Sequence, residues 1–172
     1  FCKGAIQVLN RGPQTEENKR KGIEIRLLLA QVMIGLGYPE DYFQVLEEGE
    51  RLARELGDEG SAVMFCSHIG LGYGGRRDPA KGIEYGERAL QQAEKKGDVA
   101  LVAPITHELC NTYLVSADYL KIIEVSERAI ALIEETGTQA DSFGTPWTIY
   151  TALLGINGHA RGLLGDFDTG QD

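Results

Sequence analysis

The chain has 172 residues, which is room for one domain or one short helical array, and 42% of them are hydrophobic, enough for a core. Its 26 acidic and 17 basic residues give a net charge of -9. This charge argues against nucleic-acid binding, because neutralising phosphates needs clustered Lys and Arg. No stretch approaches the roughly 18 to 20 consecutive apolar residues of a membrane span, so we also expect no membrane partner.

Cysteine and histidine spacing predicts neither a disulfide framework nor a metal site. Cys2, Cys66 and Cys110 form no CxxC pair, which favours a reducing, cytoplasmic compartment. The three histidines never stand three or four residues from one another. Cys110 follows His107 by three residues, an alternative that would place a thiol and a base on one helix face. No oxyanion donor or third orienting group accompanies them, so we predict no catalysis and no cofactor.

In chain order, the first predicted element is a helix at residues 2–10, with the pattern of the closing helix of a preceding unit. Three longer helical segments follow at a constant shift of 40 residues, beginning at Phe43, Ile83 and Ile123. They read FQVLEEGERLARELGD, IEYGERALQQAEKKGD and IEVSERAIALIEETGT. Self-similarity at a fixed period of this length indicates a repeat architecture.

Each of these segments follows a first helix whose residues keep the same register. Large apolar residues recur along one stripe, with a small residue where a second helix comes close. The positions are Leu29, Ile69 and Leu109, then Ala30, Gly70 and Cys110, and then Met33, Tyr73 and Tyr113. Each unit is therefore a helix, a turn and a helix, and no unit can bury its stripe alone. No alternating β-branched run predicts a strand, so the fold class is all-α.

Residue pairs that end one helix and start the next mark the unit boundaries. A glycine ends a helix, an acid caps the following one, and proline fits its first turn. The pairs are Gly57-Asp58, Gly97-Asp98 and Asp78-Pro79. Pro104 predicts that the third unit's first helix either starts near Ala103 or begins at Asp98 and kinks.

A fourth unit aligns only after eight extra residues, which we place in the stretch GTQADSFGTPW. Thr145-Pro146 is predicted to cap the first helix of this unit, and Trp147 to pack against the third unit. The predicted divisions are 1–12 (end of a preceding unit), 14–58, 59–98, 99–138, and 139–172 (insertion and incomplete fourth unit). Because a complete array has polar capping helices, we expect this sequence to be part of a longer array.

Residues 70–75 read G-L-G-Y-G-G, which matches the G-x-G-x-x-G pattern of a dinucleotide-binding loop. Such a loop needs a strand before the glycines and a helix after them. Here the glycines fall at the end of a predicted helix. We therefore predict that they space helices and do not bind a phosphate.

The second unit resembles a tetratricopeptide repeat (TPR). Ile69-Gly70, Tyr73, Gly82, Tyr85 and Ala89 stand at that family's spacing, and the third unit is a looser copy. The family's early Trp is replaced by Arg26, Cys66 and Thr106. The resemblance implies a right-handed α-solenoid of antiparallel helix pairs, with a period of about 40 residues.

The long period, the Gly-Asp junctions and the DSFGTPW insertion narrow this resemblance. They are similar to the TPR arrays of large bacterial signalling proteins, which carry an ATPase module and often an adenylate or guanylate cyclase domain. The resemblance implies that this chain is a regulatory arm and that catalysis lies elsewhere in the polypeptide.

In this family the first helices line a concave groove that accepts a peptide or a partner helix. Carried over by position, the resemblance implies groove residues on all four units. They are Glu24, Leu27 and Gln31, then Met64, Ser67 and Leu71, then His107 and Asn111, and finally His159. Their mixture of polar and apolar side chains suits an extended segment held by hydrogen bonds and pockets.

The groove positions carry no cation that could clamp a carboxylate. Together with the net charge of -9, this predicts a neutral or basic protein partner and not an acidic tail. We expect a non-catalytic interaction scaffold that binds a separate protein or peptide. The alternative is an intramolecular regulatory or oligomerisation module of a larger ATPase or nucleotide cyclase, whose groove meets only its own chain. Self-association is compatible with either hypothesis.

Overall fold

The computed structural model describes residues 2–145 and 147–167, and within these ranges the chain forms eight α-helices and no strand. The prediction of an all-α fold class is confirmed for these residues. The helices are α1 (Cys2–Arg11), α2 (Glu16–Gly35), α3 (Tyr42–Glu55), α4 (Glu59–Gly75), α5 (Pro79–Lys96), α6 (Val99–Ser116), α7 (Tyr119–Thr136) and α8 (Ile149–Leu163).

The predicted helix ends at Gly57-Asp58 and Gly97-Asp98 are confirmed. Gly57 and Gly97 adopt φ values of 67° and 65°, the left-handed conformation that glycine tolerates without steric cost. Asp58 accepts a hydrogen bond from the backbone N–H of Ser61 at 3.0 Å, as an N-cap should. Asp98 caps α6 in the same way by accepting from Ala100 at 2.9 Å.

A left-handed residue also ends the first helix inside the units. Arg77, Ala117 and Gly165 have φ values of 68°, 59° and 85°. In each case the next residue's N–H donates to a carbonyl five residues back, at 2.9 to 3.0 Å, which closes the helix end. The first two turns are 40 residues apart and the last two are 48 apart, the eight-residue offset that the alignment requires.

Two sequence predictions at helix starts are corrected. Helix α6 begins at Val99 and contains Pro104, so the alternative start near Ala103 is wrong. Thr145-Pro146 does not cap the fourth unit's first helix, because α8 begins at Ile149 with Thr148 in the capping position. Pro146 lies outside the described residues.

Consecutive helices pack on one another, and the first helices of successive units also meet: α2 with α4, α4 with α6, and α6 with α8. Two groups of buried side chains result. One surrounds Tyr42, Leu46 and Phe65, and the other surrounds Ile105 and Ile133. The core therefore runs along the array, and each helix pair is completed by its neighbours.

The glycine run at residues 70–75 lies in the last turns of α4, where it allows α4 and α5 to approach backbone to backbone. A Cβ added at Gly70 would lie 2.9 Å from the carbonyl oxygen of Gly82. One added at Gly82 would lie 2.8 Å from the carbonyl oxygen of Gly70. The prediction that these glycines space helices is confirmed.

Candidate functional site

A groove of about 510 Å³ lies between α2, α4 and α6, and we call it the central groove. Its lining includes Gln31 of α2, Met64 and Leu71 of α4, and His107 and Asn111 of α6. These five residues are among the nine that the resemblance to the repeat family implied. They converge because successive first helices pack side by side, so that equivalent positions face the same space.

The other four predicted residues do not line the central groove. Leu27 packs against the N-terminal core, which is the buried group around Tyr42, Leu46 and Phe65, and Ser67 is buried. Glu24 and His159 are exposed elsewhere on the surface.

The loop between α7 and α8, which contains the predicted insertion, forms one wall of the groove through its described residues. Phe143, Thr145 and Trp147 line the groove, and Gln31 donates a hydrogen bond to the carbonyl oxygen of Gly144 at 3.3 Å. The Trp147 ring meets the His107 ring edge-on with centroids 6.4 Å apart, so its predicted packing against the third unit is confirmed. The loop therefore joins the first unit to the third across the groove.

Tyr38 forms another wall of the groove, and residues at the C-terminal end of α4 hold it there. The Arg76 guanidinium donates to the carbonyl oxygens of Tyr38 and Pro39 at 2.9 and 2.7 Å. The Tyr38 ring lies over Gly75, where an added Cβ would come within 2.1 Å of a ring carbon. The wall thus depends on the last glycine of the G-x-G-x-x-G stretch, which here seats an aromatic ring.

Among the described residues that line the central groove, Glu108 is the only carboxylate, and none is a Lys or Arg. Its side chain is 14% exposed, and its Oε1 atom lies 2.8 Å from Nδ1 of the buried His68. Its Oε2 atom accepts a hydrogen bond from the Ser67 hydroxyl at 2.5 Å. Both side chains hold the carboxylate in place.

The two groove histidines have opposite pKa shifts. Burial opposes the charge on His68, but the adjacent Glu108 carboxylate outweighs it and raises the pKa of His68 above its ordinary value of 6.5. Burial lowers the pKa of His107. The Glu108 charge acts in the opposite direction but has the smaller effect on this pKa. His107 is thus suited to neutral hydrogen bonding, and Asn111 also donates to its backbone carbonyl oxygen at 2.8 Å.

We expect an NMR titration of the imidazole protons to give a pKa above 6.5 for His68 and below 6.5 for His107. The His68 pair should stabilise the fold fully below pH 6.5, and this stabilisation is lost as the pH rises through the folded-state pKa. His107 should cost stability as the pH falls from 6.5 through its lowered pKa. In Glu108→Gln, the pKa of His68 should fall. A wild-type His68 pKa below 6.5 would contradict the pairing.

Several groove residues have only weak signals in the sequence. His68 and Glu108 each follow a predicted groove residue by one position, so a slightly wider helix face would have included them. Tyr38, Phe143 and Trp147 stand outside the first helices, and their only signal was aromatic residues in connecting segments. Their positions depend on how the loops fold over the helices.

The two described thiols belong to the core. Cys66 and Cys110 are buried, and burial raises the pKa of both, that of Cys110 to about 12. A thiol with so high a pKa is almost fully protonated at neutral pH, so the Cys110 and His107 pair is poorly suited to nucleophilic chemistry. The side chain of Cys2 lies outside the described residues.

In the described part of the chain, no group of three or more His, Cys, Asp or Glu side chains is arranged to hold a metal ion. No helix there is both long and apolar enough to cross a bilayer. No protein-family model and no curated protein matches the chain.

Proposed function

We propose that the chain is a right-handed TPR-like α-solenoid whose central groove binds an extended segment of a partner protein, without catalysis of its own. The observation that carries this proposal is the meeting of Gln31, Met64, Leu71, His107 and Asn111 in one groove. Amide and imidazole groups stand beside apolar side chains there. Such a surface offers hydrogen bonds to a peptide backbone and pockets to its side chains.

We expect a library of immobilised, end-blocked eight-residue peptides to retain the wild-type chain on a subset of sequences. The double variant His107→Ala/Asn111→Ala should weaken this retention by about tenfold or more, because two buried polar contacts are removed. Trp147, the only tryptophan, lines the groove and gives a fluorescence signal for the same binding in solution.

The matched control is His159→Ala, which removes an exposed histidine that does not line the groove. This variant should bind as the wild type does. Equal retention of the double variant and the wild type would reject the groove as the binding site. Retention of no peptide would reject the proposal as a whole.

A second candidate is supported by the loop at residues 137–148. Because Gly144 contacts Gln31 and Trp147 contacts His107, part of the chain already lies in the groove. This suits a regulatory or oligomerisation module whose groove meets segments of its own polypeptide. The resemblance to bacterial signalling arrays makes an ATPase or nucleotide cyclase the parent protein on this hypothesis. Concentration-dependent self-association in sedimentation, without peptide binding, would favour it.

A further inference from the structure

The charge of the central groove has one sign. Glu108 is its only carboxylate, and no Lys or Arg lines the described groove surface. With only 14% of its side chain exposed, the carboxylate is weakly screened by water. A lone charge in a cleft with low-dielectric walls produces a focused potential. The groove therefore attracts positive charge and repels negative charge.

No group described below that faces Glu108 carries a permanent positive charge. His68 and Ser67 come from α4, and Tyr38 comes from the α2–α3 connection. The Tyr42 side chain is buried and donates to the His68 carbonyl oxygen at 2.9 Å. Of these neighbours only His68 can carry a positive charge. A carboxylate has roughly four acceptor positions, so its contacts with His68 and Ser67 leave capacity for another donor.

Aromatic side chains stand around the same space. Tyr38, Phe143, Trp147 and His107 all line the groove, and 53% of the Trp147 surface remains exposed. Tryptophan and tyrosine faces attract guanidinium and ammonium groups through the ring quadrupole. The aliphatic stem of a long basic side chain also packs well against apolar walls such as Met64 and Leu71.

We propose that the partner segment inserts an arginine or lysine side chain into the groove, an inference that rests on the proposed function. The charged group of this side chain pairs with Glu108 between the aromatic walls of the groove. Arginine fits best, because its planar guanidinium combines several donors with stacking on an aromatic ring. The entering cation competes with His68 for the carboxylate. An acidic residue at the same position is excluded by repulsion from Glu108.

The test uses three pools of end-blocked eight-residue peptides with arginine, citrulline or glutamate fixed at the fourth position. Citrulline has nearly the shape of arginine but no charge, so the first two pools isolate the charge. Binding is measured by Trp147 fluorescence on the complete 172-residue chain. We expect the arginine pool to bind about tenfold more tightly than the citrulline pool, and the glutamate pool to bind most weakly.

Glu108→Gln should abolish the preference for arginine over citrulline, since the amide keeps the size of the side chain and removes its charge. Glu47→Gln is the matched control. It removes one negative charge from an exposed residue outside the groove and should retain the preference. Circular dichroism melting of both variants shows whether they fold. The comparison of pools on the wild-type chain does not depend on either variant.

Equal binding of the arginine and citrulline pools to the wild-type chain would overturn this inference while leaving groove binding intact. A preference for arginine that persists in folded Glu108→Gln would overturn it as well, because a residue other than Glu108 would then recognise the positive charge of the peptide. Failure of every pool to bind would refute groove binding itself, and this inference with it.

Discussion

Phe65→Ala is expected to lower the free energy of unfolding by about 3 to 5 kcal/mol, the range for removing a buried aromatic ring. Phe65 is fully buried in α4, within the N-terminal core around Tyr42 and Leu46. Its ring tip lies against α3 at Gly49, where an added Cβ would come within 2.3 Å of the ring. Truncation leaves a cavity between two helices that cannot close without moving their backbones. Urea unfolding followed by circular dichroism measures the loss.

Val32→Ala is the control for this prediction. Val32 is 54% exposed on α2, so removing its methyl groups should change the free energy of unfolding by no more than about 0.5 kcal/mol. A loss below about 1 kcal/mol for Phe65→Ala would mean that the ring does not fill the space between α3 and α4.

Gly82→Ala is expected to destabilise the chain by about 2 kcal/mol, although alanine is the better helix former. Replacing a helical glycine with alanine gains roughly 0.5 to 1 kcal/mol when nothing opposes the new methyl group. At Gly82 that group would meet the Gly70 carbonyl oxygen at 2.8 Å and the Gly74 nitrogen at 2.9 Å. Because backbone atoms cannot rotate away as a side chain can, α5 must move off α4.

Gly155→Ala supplies a control with the opposite sign. Gly155 lies inside α8, and nothing stands within 4 Å of a Cβ added there. We expect this variant to gain about 0.5 to 1 kcal/mol. At roughly 2 to 4 °C per kcal/mol for a chain of this size, thermal melting separates the two variants. A Gly82→Ala variant as stable as Gly155→Ala would show that α4 and α5 do not meet at their glycines.

The Phe65 prediction concerns a contact at a position that the repeat register identifies as small. Gly49 corresponds to Ala89 and Ala129 in the later units, and all three are buried. The register does not say which neighbour requires the small residue. In the first unit it is the ring of Phe65, whereas Ile105 stands at the equivalent place in the third unit. The period thus predicts where helices come close, and the structure shows which side chain uses the space.

The sequence by itself determined the local structure of this protein. The left-handed glycines and the capping aspartates depend on residues within one or two helical turns, and the period of 40 residues is visible by comparing segments of the sequence. All three could therefore be located without knowing the fold. The resemblance to the repeat family also pointed to Gln31, Leu71 and Asn111, which are equivalent residues 40 positions apart and line the same groove.

Only the tertiary structure decided the chemistry of the groove. Gln31 and Gly144 meet although 113 residues separate them, and His68 and Glu108 meet from different units. No local pattern encodes such pairs, since they depend on how α4 and α6 stack and on where the loop at residues 137–148 lies. The period predicts that the first helices share one face. It does not predict that the described lining of the groove holds one carboxylate, among aromatic rings and without a lysine or arginine.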